Sequence, residues 1–246
     1  MHRRRDQSLR ANRLATIRQP AAGVSHEIDN PVGIILGYAE LLLEDLAADD
    51  PRRDDVVAII EACKRCKRIT GGLLGLARSS VATHERLSLV SLVDDVITSL
   101  RPQKIFRGID LSFNRPQSNV KVYGNPDQIR QVIVNLLLNA AQAMAGKGTI
   151  VLEVGSEAGM GVVRVEDTGP GIPEELKMRI FDPFFSTKPR GEGTGLGLSV
   201  CRKLVEEHEG RITFDSRPGE GALFRIEIPL EKREISFDND VDDSLV

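Results

Sequence analysis

Two glycine-rich segments carry residue types that nucleotide binding requires. Asp167-Thr168-Gly169-Pro170-Gly171 follows the alternating run 163–166, so a predicted strand delivers one carboxylate to a turn. Gly193-Thr194-Gly195-Leu196-Gly197 opens an apolar helical pattern. A carboxylate can accept a hydrogen bond from the amino group of adenine, and free N–H groups at a helix N-terminus favour phosphate. Either segment alone is typical of a simple turn, but together they predict a nucleotide site.

Two carboxamides on one predicted helix add possible metal ligands. Asn135 and Asn139 are four residues apart on the predicted helix 125–145 and therefore share one face of an otherwise apolar element. Packing hydrogen bonds would satisfy them, but beside Asp167 they favour Mg²⁺ that holds nucleotide phosphates. The sequence contains no P-loop, and glycines spaced by two do not match the dinucleotide fingerprint.

The N-terminal part predicts a pair of long helices. Small and apolar residues recur in steps of three and four from Leu14 to Leu46, and again over 52–78 after a break at 49–51. The short connection predicts an antiparallel hairpin. Two amphipathic helices cannot bury their seams alone, so we expect a dimeric four-helix bundle. Cys63 and Cys66 follow the second seam, which favours two buried thiols over a redox or metal role.

The remainder of the chain predicts an α/β two-layer sandwich, because helices and mostly antiparallel strands follow one another. Strands are expected near 109–113, 120–123, 149–154 and 161–166, helices near 91–100, 125–145 and 195–209, and a hairpin turn at 218–221. The predicted organisation is a flexible lead 1–11, a helical domain 12–78, a linker 79–86, a nucleotide-binding domain 87–232 and an acidic tail 233–246.

Composition limits the partners and the compartment. The formal net charge is −3, with 33 basic and 36 acidic side chains, so no global field favours nucleic acid or an anionic membrane. No apolar segment approaches the roughly 20 residues of a membrane span, so this segment is expected to make no membrane contact. Three cysteines, an odd number, favour a reducing compartment such as the cytoplasm.

Four motifs in chain order resemble the N, G1, F and G2 boxes of the ATPase domain of sensor histidine kinases. They are Asn135-x-x-x-Asn139-Ala140, Asp167-x-Gly169-x-Gly171, Phe181-Asp182-Pro183-Phe184-Phe185 and Gly193-Thr194-Gly195-Leu196-Gly197. The resemblance implies a Bergerat-type ATP-binding fold in which the Asn pair holds Mg²⁺ and phosphate and Asp167 holds adenine. It also implies a mobile lid over 181–194, in which Lys188 is either a phosphate contact or a solvated surface lysine.

A fifth motif, His26-Glu27-Ile28-Asp29-Asn30-Pro31, is similar to the H box of nitrogen-regulation-like kinases. His26 lies about 200° around the helix from the seam residue Val24, so it is expected to point away from the core. Neutral imidazole is a nucleophile near pH 7, and Glu27 could accept its second ring proton. The resemblance implies that His26 is the phosphoacceptor and that Asn30 supports phosphatase activity toward a response-regulator receiver domain.

These motifs predict a homodimeric histidine kinase core that uses ATP and Mg²⁺ and passes a phosphoryl group from His26 to a response-regulator aspartate. The resemblance covers about 12–232 and implies a cytoplasmic protein or the cytoplasmic part of a longer sensor. Pro20 departs from the family pattern and is expected to kink the first helix. The ATP-binding fold is shared with type II topoisomerases and mismatch-repair ATPases, so a nucleotide-binding scaffold, a pseudokinase and a non-kinase ATPase stay as alternatives.

Overall fold

The computed structural model describes residues 27–77, 84–188 and 193–231. His26 and Pro20, the predicted lead 1–11, residues 79–83 of the predicted linker and the predicted tail 233–246 lie outside the described residues.

The first described unit is the predicted helical hairpin. Helix α1 is described over 27–45, and helix α2 runs over Arg53–Ala77. The guanidinium of Arg53 closes the hairpin, because it donates to the carbonyl oxygens of Leu43 and Leu46 at 3.0 and 2.6 Å. These carbonyls at the end of α1 have no partner within their own helix, so Arg53 supplies one. The antiparallel hairpin expected from the two seams is confirmed.

The hairpin buries one stripe and leaves another exposed. Its core consists of Ala39, Val56 and Ile60, flanked by Leu36, Leu43 and Leu46. A second apolar stripe is exposed in the single chain: Ile28 40%, Ile35 50%, Leu42 54% and Ile59 45%. The expectation of two buried thiols is half wrong, since Cys63 is buried and Cys66 is exposed. A three-residue step leaves Cys66 about 60° around the helix from Cys63, away from α1.

The second unit is a two-layer α/β sandwich, as predicted. Its elements are β1 (Glu85–Ser88), α3 (Leu89–Leu100), a 3-10 turn (Lys104–Phe106), β2 (Ile109–Asn114), β3 (Lys121–Gly124), α4 (Pro126–Ala143), β4 (Gly148–Glu157), β5 (Met160–Asp167), α5 (Glu174–Lys177), α6 (Gly197–Glu207), β6 (Arg211–Ser216) and β7 (Ala222–Pro229). Strand β1 begins inside the predicted linker 79–86 and pairs with β3.

The main sheet has the strand order β2-β4-β5-β7-β6, in which β2 and β4 are parallel and the other neighbours are antiparallel. Alternate residues in the middle of β4 are buried, namely Ile150, Leu152 and Val154. These side chains belong to one core together with the buried faces of α3, α4 and α6. The apolar side chains that alternate along the strands and those that recur about every 3.6 residues along the helices therefore pack in a single layer.

Helix α4 begins where its sequence predicts. Asn125 is the N-cap, its side-chain oxygen accepts the N–H of Gln128 at 2.9 Å, and Pro126 occupies the first turn. This start fixes which residues of α4 face α6. Within the described ranges, no helix combines the length and apolar character needed to cross a membrane.

Candidate functional site

Asp167 ends β5 as a buried carboxylate that is 6% exposed. Its Oδ1 accepts the N–H of Gly169 at 2.8 Å, and the N–H of Ala222 on the neighbouring strand β7 also donates to the carboxylate. Burial raises the pKa of Asp167, while these two N–H groups oppose the shift. The carboxylate is thus fixed in direction by backbone donors and partly removed from water.

The turns around Asp167 require glycine. Gly171 has a φ of +70°, and a Cβ there would lie 2.0 Å from the carbonyl oxygen of Arg217. Gly221 has a φ of +83°, and a Cβ there would lie 1.9 Å from the carbonyl oxygen of Asp167. Gly171 was predicted as a site residue, whereas Gly221 was predicted only as part of a turn. Because β7 returns beside β5, Gly221 lets the chain approach the backbone of Asp167.

Asn135 and Asn139 both face the start of α6. The Nδ2 of Asn135 lies 3.5 Å from the carbonyl oxygen of Gly197, and a Cβ on Gly197 would lie 3.5 Å from the Nδ2 of Asn139. No side chain caps α6 at its N-cap residue, Leu196. The predicted carboxamide pair and the second glycine segment therefore meet at a helix N-terminus whose first N–H groups are not used by a side-chain cap.

Helix α4 connects this end of the site to Asp167. A Cβ on Gly169 would lie 3.3 Å from the Cγ of Met144, the C-cap of α4. From Asn139 to Met144 is about one and a half helical turns, or roughly 7–8 Å. The carboxylate and the α6 N-terminus therefore lie at two ends of one site along the same helix.

The two ends of the predicted lid contact each other. Phe184 has a φ of +65°, and a Cβ on Gly195 would lie 2.3 Å from the carbonyl carbon of Phe184. Gly195 also has a φ of +65°, so this close approach requires glycine. Near the same point, the hydroxyl of Thr194 accepts the N–H of Leu196 at 3.3 Å. Residues 189–192, between these ends, lie outside the described part of the chain.

Lys188 lies beside α4, where its ammonium donates a hydrogen bond to the Oε1 of Gln142. The side chain of Lys188 also lies against Gly193, because a Cβ there would be 3.2 Å from the Cδ of Lys188. Gln142 was not among the predicted site residues. The sequence pattern that could have indicated Gln142 is its position: it is a polar residue three positions after Asn139, on the same side of an apolar helix.

The described H-box residues belong to the other unit. Glu27 and Asn30 are exposed on α1, and His26 precedes the described residues. The residues that the structure brings together are thus the N-box, G1, F-box and G2 residues, whereas Glu27 and Asn30 lie on the helical hairpin.

Two family profiles match the chain in the same order as the two structural units. The His Kinase A (phospho-acceptor) domain matches residues 16–80. The Histidine kinase-, DNA gyrase B-, and HSP90-like ATPase matches residues 124–232. The first profile includes the H box, and the second includes the other four motifs.

The chain is 34% identical over 229 residues to the sensor histidine kinase ZraS of Klebsiella oxytoca, which covers 92% of this chain and 49% of the relative. It thus spans about half the length of that curated relative. The solved catalytic domain of histidine kinase ThkA is 37% identical with a TM-score of 0.54, covering 59% of this chain and 95% of that chain.

A crystal structure of histidine kinase ThkA in complex with the response regulator protein TrrA is 30% identical with a TM-score of 0.66. That comparison covers 94% of this chain and 67% of that chain, so it includes both structural units. The order of the two structural units agrees with the order of these matches. The chain belongs to the sensor histidine kinase family.

Proposed function

We propose that this chain is a histidine kinase core that binds MgATP and transfers its γ-phosphoryl group to His26. A response-regulator aspartate then receives the phosphoryl group. The observation that carries the proposal is the placement of Asn135 and Asn139 against the N-terminus of α6, with the buried Asp167 at the other end of the site. This layout provides separate places for a base and for phosphates along one helix.

Asp167 is the proposed adenine contact. Its carboxylate is oriented by the N–H groups of Gly169 and Ala222 and keeps further acceptor capacity for the exocyclic amine of adenine. Guanine has a carbonyl oxygen at the corresponding ring position, which a carboxylate would repel. The direction of hydrogen bonding therefore favours ATP over GTP.

The phosphate end is proposed to lie at the start of α6. The N–H groups at the start of this helix favour an anion, and the positive end of the helix dipole also lies there. The Asn135 and Asn139 amides fit Mg²⁺, because they are partly buried, neutral oxygen donors that leave room for water and phosphate ligands. When bound, Mg²⁺ would reduce the negative charge on the β- and γ-phosphates.

Lys188 is proposed to contact a phosphate from the lid side. Its ammonium bonds to Gln142, which is about one helical turn from Asn139 on the side toward Met144, and this position supports contact with a phosphate that extends from the start of α6. A positive charge there would stabilise the charge that develops as the γ-phosphoryl group leaves.

Phosphoryl transfer is proposed to begin with attack by a ring nitrogen of neutral His26 on the γ-phosphorus. The new N–P bond forms as the P–O bond to ADP breaks, and Glu27 accepts the proton from the other ring nitrogen. The exposure of Glu27 and Asn30 leaves this face of α1 open to a second domain. In the separate phosphatase reaction, the amide of Asn30 orients a water that attacks the phosphorus of a phosphorylated receiver aspartate, which releases inorganic phosphate and the free carboxylate.

Homodimerisation is proposed to bury the exposed stripe that includes Ile28, Ile35, Leu42 and Ile59. Two hairpins that join these stripes form the four-helix bundle expected from the seams. The related ThkA was solved with a response regulator protein, which supports a receiver domain as the partner of this chain.

The proposed function is tested with γ-³²P-labelled ATP and the variants His26→Gln and His84→Gln. We expect wild type and His84→Gln to form an acid-labile, base-stable phosphoprotein and His26→Gln to form none. Label retained by His26→Gln, or absent from wild type, would refute the assignment. Nucleotide binding without label would favour a scaffold or pseudokinase, and phosphate release without a protein adduct would favour a non-kinase ATPase.

A further inference from the structure

A polar contact joins the two hairpin helices beside the H box. The hydroxyl of Thr70 on α2 donates a hydrogen bond to the Oδ1 of Asp29 on α1. Thr70 is 4% exposed and Asp29 is half-buried. Near the loop, the helices instead meet through Ala39, Val56 and Ile60. The contact thus lies at the end of the hairpin that carries the H box, far from the loop. There Asp29 supplies an acceptor for the buried hydroxyl of Thr70.

The Thr70 hydroxyl has a second acceptor within its own helix. Its Oγ1 lies 3.1 Å from the carbonyl oxygen of Cys66 and 3.2 Å from that of Lys67. A hydroxyl has one proton and donates it to one acceptor at a time. If Asp29 turns away, the proton can bond to the Cys66 carbonyl, and no buried donor is left unsatisfied. The Thr70 donor therefore keeps a partner whether or not it is bonded to Asp29.

The direction of Asp29 determines where its helical neighbours face. Asn30 lies about 100° around α1 from Asp29, and Glu27 lies about 160° from it on the same side. Both side chains are exposed, whereas Asp29 faces α2. Rotation of α1 about its axis would therefore turn Glu27 and Asn30 together, and the Asp29–Thr70 hydrogen bond opposes that rotation.

We propose that Asp29 and Thr70 are positioning residues for phosphoryl transfer, since their hydrogen bond sets the rotation of α1 at the H box. The inference rests on the proposed role of His26, which is joined directly to Glu27. Neither residue contacts the transferred group in this account. They act by holding Glu27 and the preceding histidine toward the bound nucleotide.

The test measures autophosphorylation kcat and the KM for ATP in Thr70→Val, Asp29→Ala and the double variant. Thr70→Val keeps the side-chain shape and removes only the hydroxyl, so the melting temperature is expected not to fall. We expect kcat to fall about three- to tenfold in either single variant, with KM for ATP within about twofold of wild type. The double variant is expected to match the singles, because both changes remove the same hydrogen bond.

Conservative and structural controls separate positioning from loss of stability. Thr70→Ser and Asp29→Asn keep a donor and an acceptor, so they should restore most of kcat. Ile60→Val loosens the hairpin core without touching the contact and should leave kcat near wild type. Additive single effects, no rescue, an equal loss in Ile60→Val, or unchanged kcat in Thr70→Val would overturn the inference. Wild type without labelled His26 would instead refute the proposed function.

Discussion

The imidazole of His208 joins the end of α6 to the start of α4, because its Nε2 accepts the backbone N–H of Asn125 at 2.9 Å. Its Nδ1 lies 2.7 Å from the carbonyl oxygen of Leu204 and therefore donates to it. A neutral ring has one donor and one acceptor, so both nitrogens are satisfied only in the Nδ1–H form. His208 thus links the two helices that carry the Asn pair and the second glycine segment.

Acidification is expected to weaken this link. Burial lowers the pKa of His208 below its usual value of 6.5, the carbonyl of Leu204 and the charge of Glu207 oppose the shift, and His84 lowers the pKa further. The unfolded state therefore binds more protons between the folded pKa and 6.5. The stabilising contribution is complete above 6.5 and is lost as pH falls through the folded pKa. Denaturant midpoints measured from about pH 8 to pH 5 should show this loss.

Two histidine variants identify the group that titrates. His208→Gln keeps an acceptor for Asn125 but cannot titrate, so its stability should vary less below pH 6.5. His84→Gln should retain the loss, because burial is the first cause of the shift at His208 and that cause is unchanged. An unaltered pH dependence in His208→Gln would assign the effect to another group.

Gly171→Ala is expected to destabilise the nucleotide-binding unit. A Cβ at this residue needs a strained φ of +70° and would lie 2.0 Å from the carbonyl oxygen of Arg217. The expected loss is about 1–3 kcal/mol in the free energy of unfolding, measured by chemical denaturation. Gly155→Ala is the matched control on β4, since a Cβ there meets nothing within 4 Å. Equal losses in both variants would contradict the steric account.

Local sequence signals predicted the elements of this site but not all of its contacts. The cap at Asn125, the shared face of Asn135 and Asn139 and the strand that ends at Asp167 depend on spacings of a few residues, so periodicity reveals them. Gly221 lies 54 positions after Asp167 in the chain. Its close approach depends on the pairing of β5 with β7, which no local pattern encodes.

The same limit of local patterns explains why some residues of the hairpin that were predicted to be buried are exposed. Steps of three and four predicted its seam but could not separate residues that face the partner helix from those that face away. Cys63 is buried, while Cys66 on the same predicted seam is exposed in the single chain. A neighbouring helix covers only part of a broad apolar stripe. The Lys188–Gln142 contact was missed because a loop return sets it.

Leu42→Lys is expected to weaken the proposed homodimer. Leu42 is 54% exposed in the single chain and belongs to the apolar stripe assigned to the dimer interface. An unpaired ammonium in that interface should cost about 2 kcal/mol or more of association free energy. Light scattering across a concentration series should show more monomer. Glu44→Lys introduces the same side chain at another exposed position of α1 and should leave the dimer intact. A dimer of wild-type strength in Leu42→Lys would place the interface elsewhere.

Asp167→Asn is expected to separate nucleotide binding from folding. Burial raises the pKa of Asp167, so its ionised form costs stability at pH values above the reference of 3.8. Asparagine removes that cost and can keep the acceptor used by Gly169, so the melting temperature without nucleotide should be equal or higher. The substitution also replaces one carboxylate oxygen with an NH₂ donor, which opposes the donor amine of adenine.

The measurement is the shift in melting temperature on adding MgATP. Ligand at about a hundred times its Kd stabilises wild type by about 2.7 kcal/mol, and Asp167→Asn should lose most of that gain. Glu166→Gln removes a neighbouring exposed charge on β5 and should keep the shift, because successive strand residues point to opposite faces. If Asp167→Asn retains the full shift, Asp167 does not contact adenine. If Asp167→Asn melts at a lower temperature than wild type without nucleotide, the ionised carboxylate stabilises the fold. The stability cost inferred from the raised pKa of Asp167 is then wrong.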